Sequence, residues 1–400
     1  MKEAKPLPLA GVKVIDLSRV LAGPFCAMLL SYLGAEVIKV EDKNGDETRA
    51  WPPHTKDMST SFLAVNLNKR DIVVDLKTPE GVAVVKDLVR GADVVVENFK
   101  TGAMEKFGLS YEELKRINPR LVFTSISAYG RRGPRATYPG YETLMQAYSG
   151  IMSFTGEPDG EPVRSGVSFL DLSSGVLAAL STVTALYRRR DDGEGALVEG
   201  SLLQSAVFMM AVQLSTYFQG GKKPAKLGSG HASATPYQAF PTREGWVLIA
   251  AANQNLWEKM AHAMGLEEML ADDRFVDNKA RMANLPAFLE QLYAATRQWA
   301  PDDLVTLLVK AGVPCSKIND FDELMADGQV DALEAVRTVD DPDYGPLRVS
   351  GPPFHMSGYD GGQFTRAPRL GEHTLEVLKE LGYDEARIKG LIDSGAVFAA

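Results

Sequence analysis

The chain has 400 residues, of which 45% are hydrophobic and 24% charged, close to the globular average and without the bias of a disordered, collagenous or coiled-coil protein. Lys and Arg total 43 against 52 Asp and Glu, a net charge of −9 with an isoelectric point near 5.3, so the broad basic footprint that nucleic-acid binding needs is missing. Local basic spots that grip a phosphorylated small molecule stay compatible with this balance. The length exceeds one compact core and predicts two domains, possibly discontinuous. Two cysteines cannot form a disulfide framework. Cys26 lies in an apolar helical pattern and Cys315 in a Val-Pro-Cys turn, so both read as reduced thiols. The segment from Met1 to Pro8 has no apolar stretch of the signal-peptide kind, and no run of about 18 apolar residues is visible. A soluble, cytoplasmic protein that neither enters a membrane nor binds nucleic acid is expected.

In chain order, V-K-V-I-D (12–16) predicts a buried strand, and Gly23-Pro24 opens an apolar helix that Gly34 ends. Strands are predicted at 37–40 and 72–76. A helix over 79–89 follows, capped by Thr78 and closed by Gly91, then strands at 94–96 and 121–126. Strands separated by helical crossovers predict an α/β, Rossmann-like domain with a mostly parallel sheet buried on both faces. From Asp171 a long helix runs to Arg188-Arg189-Arg190, cations that suit a helix C-terminus. Residues 220–235 read as a linker, 246–251 as a strand, and 254–265, 286–299 and 302–312 as helices. The expected division is a large domain in 1–220, a linker and smaller α/β domain in 221–330, and a segment in 331–400 that returns to the large domain, with helices at 373–381 and 384–395.

Several chemistries are excluded by missing patterns. The five histidines show no metal-binding spacing, and no metal site is expected. There is no G-x-S-x-G elbow, no phosphate loop with Gly-Lys-Ser/Thr, and S-R-V-L-A-G-P stands where a dinucleotide fingerprint would follow the first strand. What remains is a set of unusual strand-end segments. Asp16 to Pro24 is a strand-to-helix turn in which small residues let a ligand approach backbone amides. Asn66 to Arg70 and Val74 to Lys77 put basic residues at a sheet edge, as a phosphate contact or a solvated face. Glu97 to Lys100 lies at a strand C-terminus, where open α/β sheets place ligands. Tyr138 to Glu142 and Pro162 to Asp171 complete the set. Asp171, between Phe169-Leu170 and the long helix, reads first as a helix cap, with a partly desolvated carboxylate nucleophile as the functional alternative.

Taken together these segments resemble the class III CoA-transferases, the family of formyl-CoA transferase and carnitine CoA-transferase. The likeness spans essentially the whole chain: L-A-G-V-K-V-I-D-L-S-R-V-L-A-G-P-F, G-A-E-V-I-K-V-E, G-D-E-T-R, N-x-N-K-R, D-V-V-V-E-N-F, G-Y-E, P-V-R-S-G-V-S-F-L-D and L-G-E-H-T. The resemblance implies an interlocked homodimer with the active site between the large domain of one chain and the small domain of the other. It implies that Asp171 is the nucleophile. CoA contacts are carried to Leu21, Ala22, Val74, Asp75, Leu76, Lys77, Asn98, Phe99, Lys100, Lys106, Gly140, Tyr141 and Glu142. No tightly bound cofactor is implied, since CoA and acyl-CoA are substrates and small carboxylic acids are the partners. Three departures stand out: Asp42 replaces an arginine of formyl-CoA transferases, Leu21 replaces their glutamine, and Ala250-Ala251-Ala252-Asn253-Gln254 replaces their glycine-rich flap.

The implied reaction moves CoA through aspartyl anhydride and aspartyl-CoA thioester intermediates, which must be kept from water. Amides from the 250–254 loop are expected to stabilise the oxyanions. V-L-A-G-P-F, G-D-E-T-R and P-V-R-S-G-V resemble transferases that use succinyl-CoA and a dicarboxylate such as glutarate. A distal carboxylate calls for a guanidinium, and Arg19, Arg49 and Arg164 are the candidates, with Trp51 enclosing the pocket. The runner-up is the α-methylacyl-CoA racemases of the same superfamily, whose catalytic histidine is replaced here by Tyr141, a poor base at neutral pH. A non-catalytic CoA-binding subunit is the other alternative, disfavoured by Asp171.

Overall fold

Six short runs become parallel strands: β1 (Lys13–Asp16), β2 (Glu36–Glu41), β3 (Lys69–Val74), β4 (Val94–Glu97), β5 (Val122–Ser127) and β6 (Ala196–Ser201). The computed structural model describes residues 5–359 and 364–399, so Met1 to Ala4, part of the leaderless reading, lie outside the described residues. The sheet order is β3-β2-β1-β4-β5-β6, with a short antiparallel strand, Val397–Phe398, added beside β3. Val14 of β1 stands opposite Val37 on one side and Val94 on the other. The order therefore reverses between β1 and β4, and the crevice at their carboxyl ends is where such sheets bind ligands. Val94, Val95 and Val96 are fully buried, each contributing about 1.5–3 kcal/mol, as expected of a strand covered on both faces.

Helices follow the strands for local reasons. In α1 (Ala22–Tyr32), Pro24 sits in the first turn, where its missing N–H costs nothing. In α2 (Pro79–Arg90), the Thr78 hydroxyl accepts from the Gly81 N–H. α3 (Glu142–Tyr148) precedes the long α4 (Phe169–Asp192), which ends on Gly193 at φ +76°. α4 lies against α1 at Gly175, where a Cβ would come within 2.8 Å of the Ala22 carbonyl oxygen, so the backbones approach too closely for any side chain. By length and composition α4 is apolar enough to cross a membrane, contrary to the reading above. Its buried Gly175, Ala178, Ala179 and Thr182 make it a core helix of this unit, and Thr182 bonds Thr124 of β5 at 2.6 Å.

The chain separates into two compact units, one of residues 1–151, 165–220 and 331–400, the other of residues 152–164 and 221–330. In the first, Val377, Leu378, Tyr383, Ile388 and Val397 share one core with Ile15, Val40 and Val95. In the second, an antiparallel sheet of β7 (Tyr237–Pro241), β8 (Trp246–Ala250) and β9 (Cys315–Lys317) carries its own core. Phe288 meets Trp257 and Phe275 there edge-on, with centroids 5.0 and 5.2 Å apart. The buried Arg281 bonds the Thr235 and Phe275 carbonyls and Gln254.

β3 begins three residues before the predicted start because its charged residues point inward. The Lys69 ammonium, fully buried, donates to Asp16 Oδ2 at 2.8 Å, the Pro24 carbonyl at 2.9 Å and Asn66 Oδ1 at 2.8 Å. Lys69 is therefore neither a phosphate contact nor a solvated residue, and Arg70 pairs with Glu36, Glu376 and Glu380. Burial pulls Lys69 down to about 8 against the Asp16 charge; burial also disfavours ionised Asp16, but Lys69 and Lys39 hold its carboxyl below its ordinary value. Removing one partner of such a pair strands the other. Lys69→Met should cost about 3–5 kcal/mol in chemical denaturation, and adding Asp16→Asn should recover part of it. A Lys69→Met protein as stable as the parent would show that the pair carries no such weight.

Candidate active site

The turn after β1 carries a strained residue. Val20, β-branched, has φ +67°, a conformation that such residues rarely adopt. Side chains from elsewhere hold it. Asn98, just past β4, accepts from the Arg19 N–H at 2.8 Å and donates to the Arg19 carbonyl at 2.7 Å. Asp46 accepts from the Val20 N–H at 3.1 and 3.2 Å, and Lys39 Nζ reaches Asp46 at 3.1 Å and the Ser18 carbonyl at 2.9 Å. The turn leads directly into α1, where a Cβ on Gly23 would fall 2.2 Å from that of Ser18.

This turn forms one wall of a 460 Å³ cavity that Asp171 also lines. Asp171 is the third residue of α4, after Ser168, so it is not the helix cap. Its carboxylate accepts no hydrogen bond among the described residues. The Leu170 N–H beside it goes instead to Glu142 Oε1 at 3.4 Å, and Gln146 Nε2 binds the same oxygen at 2.6 Å. Burial, then the Glu142 charge, pushes the Asp171 carboxyl up from 3.8 to about 7. Desolvation without a partner raises a carboxylate's proton affinity toward the range that a base or nucleophile at neutral pH needs.

Of the residues expected at the site, Leu21, Ala22, Asn98, Phe99, Lys100, Gly140, Tyr141 and Glu142 line this cavity with Asp171, and so does Arg19. Gly140 approaches Ala128 so closely that a Cβ would lie 2.5 Å from that alanine's. Val74, Leu76 and Lys77 line a neighbouring 70 Å³ cleft that shares Arg19, Phe99 and Phe107 with the cavity. Asp75 and Lys106 line neither: the Asp75 carboxylate accepts from the Lys77 N–H at 2.9 Å, and Lys106 is exposed on the short helix Ala103–Lys106. Arg19 is 41% exposed in its side chain, stacks over Phe99 at 5.4 Å and reaches Asp42 at only 3.5 Å.

Arg49, in the same unit, stands elsewhere. Arg49 Nε bonds Glu41 at 2.9 Å, its Nη1 the Pro368 carbonyl at 3.1 Å, and its guanidinium lies 3.7 Å from the Phe62 ring centre. It lines a separate 320 Å³ cavity with Tyr344 and Arg369. Glu41, a buried carboxylate of β2, holds the Arg49 guanidinium, and Arg49 is not among the residues lining the cavity of Asp171. Trp51, half-exposed, lines neither Asp171's cavity nor that one. Arg164 is exposed in the 152–164 segment of the second unit. Val20, Asp46 and Tyr138 fall in segments that the sequence singles out, but the roles of Val20 and Asp46 depend on backbone conformation, and the packing of Tyr138 with Tyr129 and Tyr148 beside Arg135 is not visible there. The only available signal was tyrosine density.

The raised Asp171 carboxyl has a stability consequence. The folded chain keeps this proton between about pH 4 and 7, where the unfolded chain has lost it, so the group's contribution to stability falls as pH rises through that window. Asp171→Asn removes the ionisation. It should melt higher than the parent at pH 8, by up to about 4 kcal/mol, and match it near pH 4. Equal melting temperatures at pH 8 would contradict the desolvation argument.

Known proteins place this arrangement in context. Residues 9–374 match the family model described as CoA-transferase family III. Succinate–glutarate CoA-transferase of Agrobacterium fabrum is 38% identical over 95% of this chain and 97% of its own length. Succinyl-CoA:glutarate CoA-transferase of Mus musculus is 37% identical over 98% and 90%, and acetyl-CoA:oxalate CoA-transferase of Acetobacter aceti 37% over 96% and 98%. Among solved structures, a CAIB/BAIF family protein from Brucella suis superposes with a TM-score of 0.86 at 38% identity, covering 94% of this chain and all of that one. The mixed α/β fold with its mostly parallel sheet is thus that of an enzyme family that handles acyl-CoA and carboxylic acids, and the chain belongs to CoA-transferase family III.

Proposed function

We propose that this enzyme moves CoA from succinyl-CoA to a dicarboxylic acid, with Asp171 as the covalent nucleophile. The observation that carries the reading is the Asp171 carboxylate, desolvated and without a hydrogen bond, in the wall of the cavity that most of the expected CoA contacts line. Its oxygen attacks the thioester carbonyl, forming a mixed anhydride and releasing CoA thiolate. The thiolate attacks the aspartyl carbonyl, and succinate leaves. The acceptor carboxylate attacks the resulting aspartyl thioester, expelling thiolate once more. That thiolate takes the acyl group from the second anhydride and regenerates Asp171. The net reaction exchanges one thioester for another of similar energy, so the site's task is to position groups and to keep water from the reactive anhydride and thioester. The positive end of α4 and the basicity that burial gives Asp171 support attack by its ionised form.

The succinyl-CoA and glutarate specificity named for the bacterial and mouse relatives supports a dicarboxylate acceptor. Arg19 is the one candidate arginine that lines the same cavity as Asp171, and its loose contact with Asp42 leaves its fork available. The test offers free glutarate, oxalate and butyrate with succinyl-CoA and reads CoA products by mass. The parent should make glutaryl-CoA fastest. Arg19→Ala should lower kcat/KM for glutarate about tenfold more than for butyrate, and Arg49→Ala should affect all acids in parallel. Asp171→Ala should abolish transfer, and hydroxylamine should label Asp171 only after acyl-CoA is added. Turnover by purified Asp171→Ala, or a label on another carboxylate, would overturn the mechanism.

We also propose a homodimer. Within the first unit, Val176, Leu180 and Tyr187 are exposed along α4, with Phe208, Val212 and Phe218 exposed on the helices Leu202–Met209 and Ala211–Gly220. Large apolar side chains exposed on three helices are what an obligate interface would cover. Sedimentation should show a dimer down to nanomolar concentration; a folded, active monomer would refute it.

A further inference from the structure

We propose that Asn98, with Asp46, is a positioning residue for CoA-thioester binding, acting by holding the Ser18–Arg19–Val20 turn in a conformation its own sequence disfavours; the inference rests on the CoA-transfer reading above. The resemblance assigned Asn98 a direct contact with CoA. Both polar atoms of its side-chain amide already hold the turn, since its oxygen takes the Arg19 N–H at 2.8 Å and its nitrogen reaches the Arg19 carbonyl at 2.7 Å. Asn98 therefore grips both ends of one residue, as a neighbouring strand would. One residue later, both oxygens of Asp46 receive the Val20 N–H, and one residue earlier Lys39 holds the Ser18 carbonyl. Three consecutive residues are thus fixed by side chains from three other segments.

Such over-determination is what keeps a β-branched residue at φ +67°. A lone valine would return to negative φ, rotating the Arg19–Val20 and Val20–Leu21 peptides. Arg19, Val20, Leu21 and Ala22 all wall the Asp171 cavity, so relaxation would reshape the surface that meets the thioester. Apparent affinity then falls by the fraction of molecules whose turn is still competent. A merely structural asparagine would behave differently. Its loss would lower the melting temperature and the active fraction, hence kcat, and would leave KM alone.

Glycine separates the two cases, because it takes positive φ without steric cost and does not need the clamp. The experiment measures KM and kcat for succinyl-CoA, Kd for CoA by titration calorimetry, and melting temperature, in the parent, Asn98→Ala, Val20→Gly and the double variant. Asn98→Ala should raise KM and Kd about tenfold with kcat changed less than about threefold. The double variant should return both to within about threefold of the parent. Unchanged affinity in Asn98→Ala, or a loss that Val20→Gly does not recover, would overturn the proposal. If Asn98→Ala does not fold, Asn98→Asp keeps the acceptor for the Arg19 N–H and loses the donor. It should show a smaller loss with the same recovery, and no loss would count against the proposal. Calorimetry needs no turnover. A parent that binds CoA with this ranking yet transfers nothing would keep the positioning role and remove the transfer reading.

Discussion

A single buried ammonium underlies the architecture of the site. Lys69 is fully enclosed, and its three acceptors come from the end of β1, the first turn of α1 and the segment before β3. Placing a cation there is costly unless its partners are rigid, so the same contacts that make it tolerable also lock the strand, the helix and the connection together. Lys39 repeats the device next door with Asp46 and the Ser18 carbonyl, and Arg131 does so with Glu97 at the end of β4. The floor of the crevice is a layer of neutralised charge, and the strained turn rests on it.

Above that floor the chemistry calls for the opposite arrangement. Among the described residues Asp171 forms no ion pair, and the charge that acts on it is that of another carboxylate, Glu142. Burial without compensation raises its proton affinity, and with it the nucleophilicity of its ionised form, at the expense of the native state. The structure thus keeps its supporting carboxylates paired and leaves Asp171, the proposed nucleophile, unpaired. Glu41 and Asp71 form an intermediate case beneath Arg49. Burial opposes ionisation of both; the Arg49 hydrogen bonds nevertheless hold Glu41 down to about 2, and burial and the Glu41 charge push Asp71 well up.

Much of this was legible in the residues, and the illegible part has a common cause. Apolar runs such as V-V-V at 94–96 declare buried strands, and Thr78-Pro79 and Gly193 mark helix ends by local chemistry. The strand at 69–74 was placed too late because Lys69, Arg70 and Asp71 look solvated in isolation. Only their partners 34 to 300 residues away make burial affordable. Strand β6, A-L-V-E-G-S, was missed because it is an edge strand with alternating exposure, ordered by pairing with β5. At the site, motif order pointed to Asp171, whereas the capture of Arg49 by Glu41 and the left-handed Val20 are products of tertiary geometry.

The short strand at Val397–Phe398 bears on how the protein is made. It pairs with Val73 and Val74, so β3 lies at an open edge of the sheet until that part of the chain has been synthesised. From Ser201, the end of β6, to Val397 is 397 − 201 = 196 residues, which at about 5–20 residues per second is on the order of 10–40 s on the ribosome. An exposed parallel edge for that long invites pairing with another nascent chain. Charges within a strand are one of the ways edges resist this, and β3 opens with Lys69, Arg70 and Asp71. The residues that anchor the finished crevice also guard the unfinished sheet against aggregation.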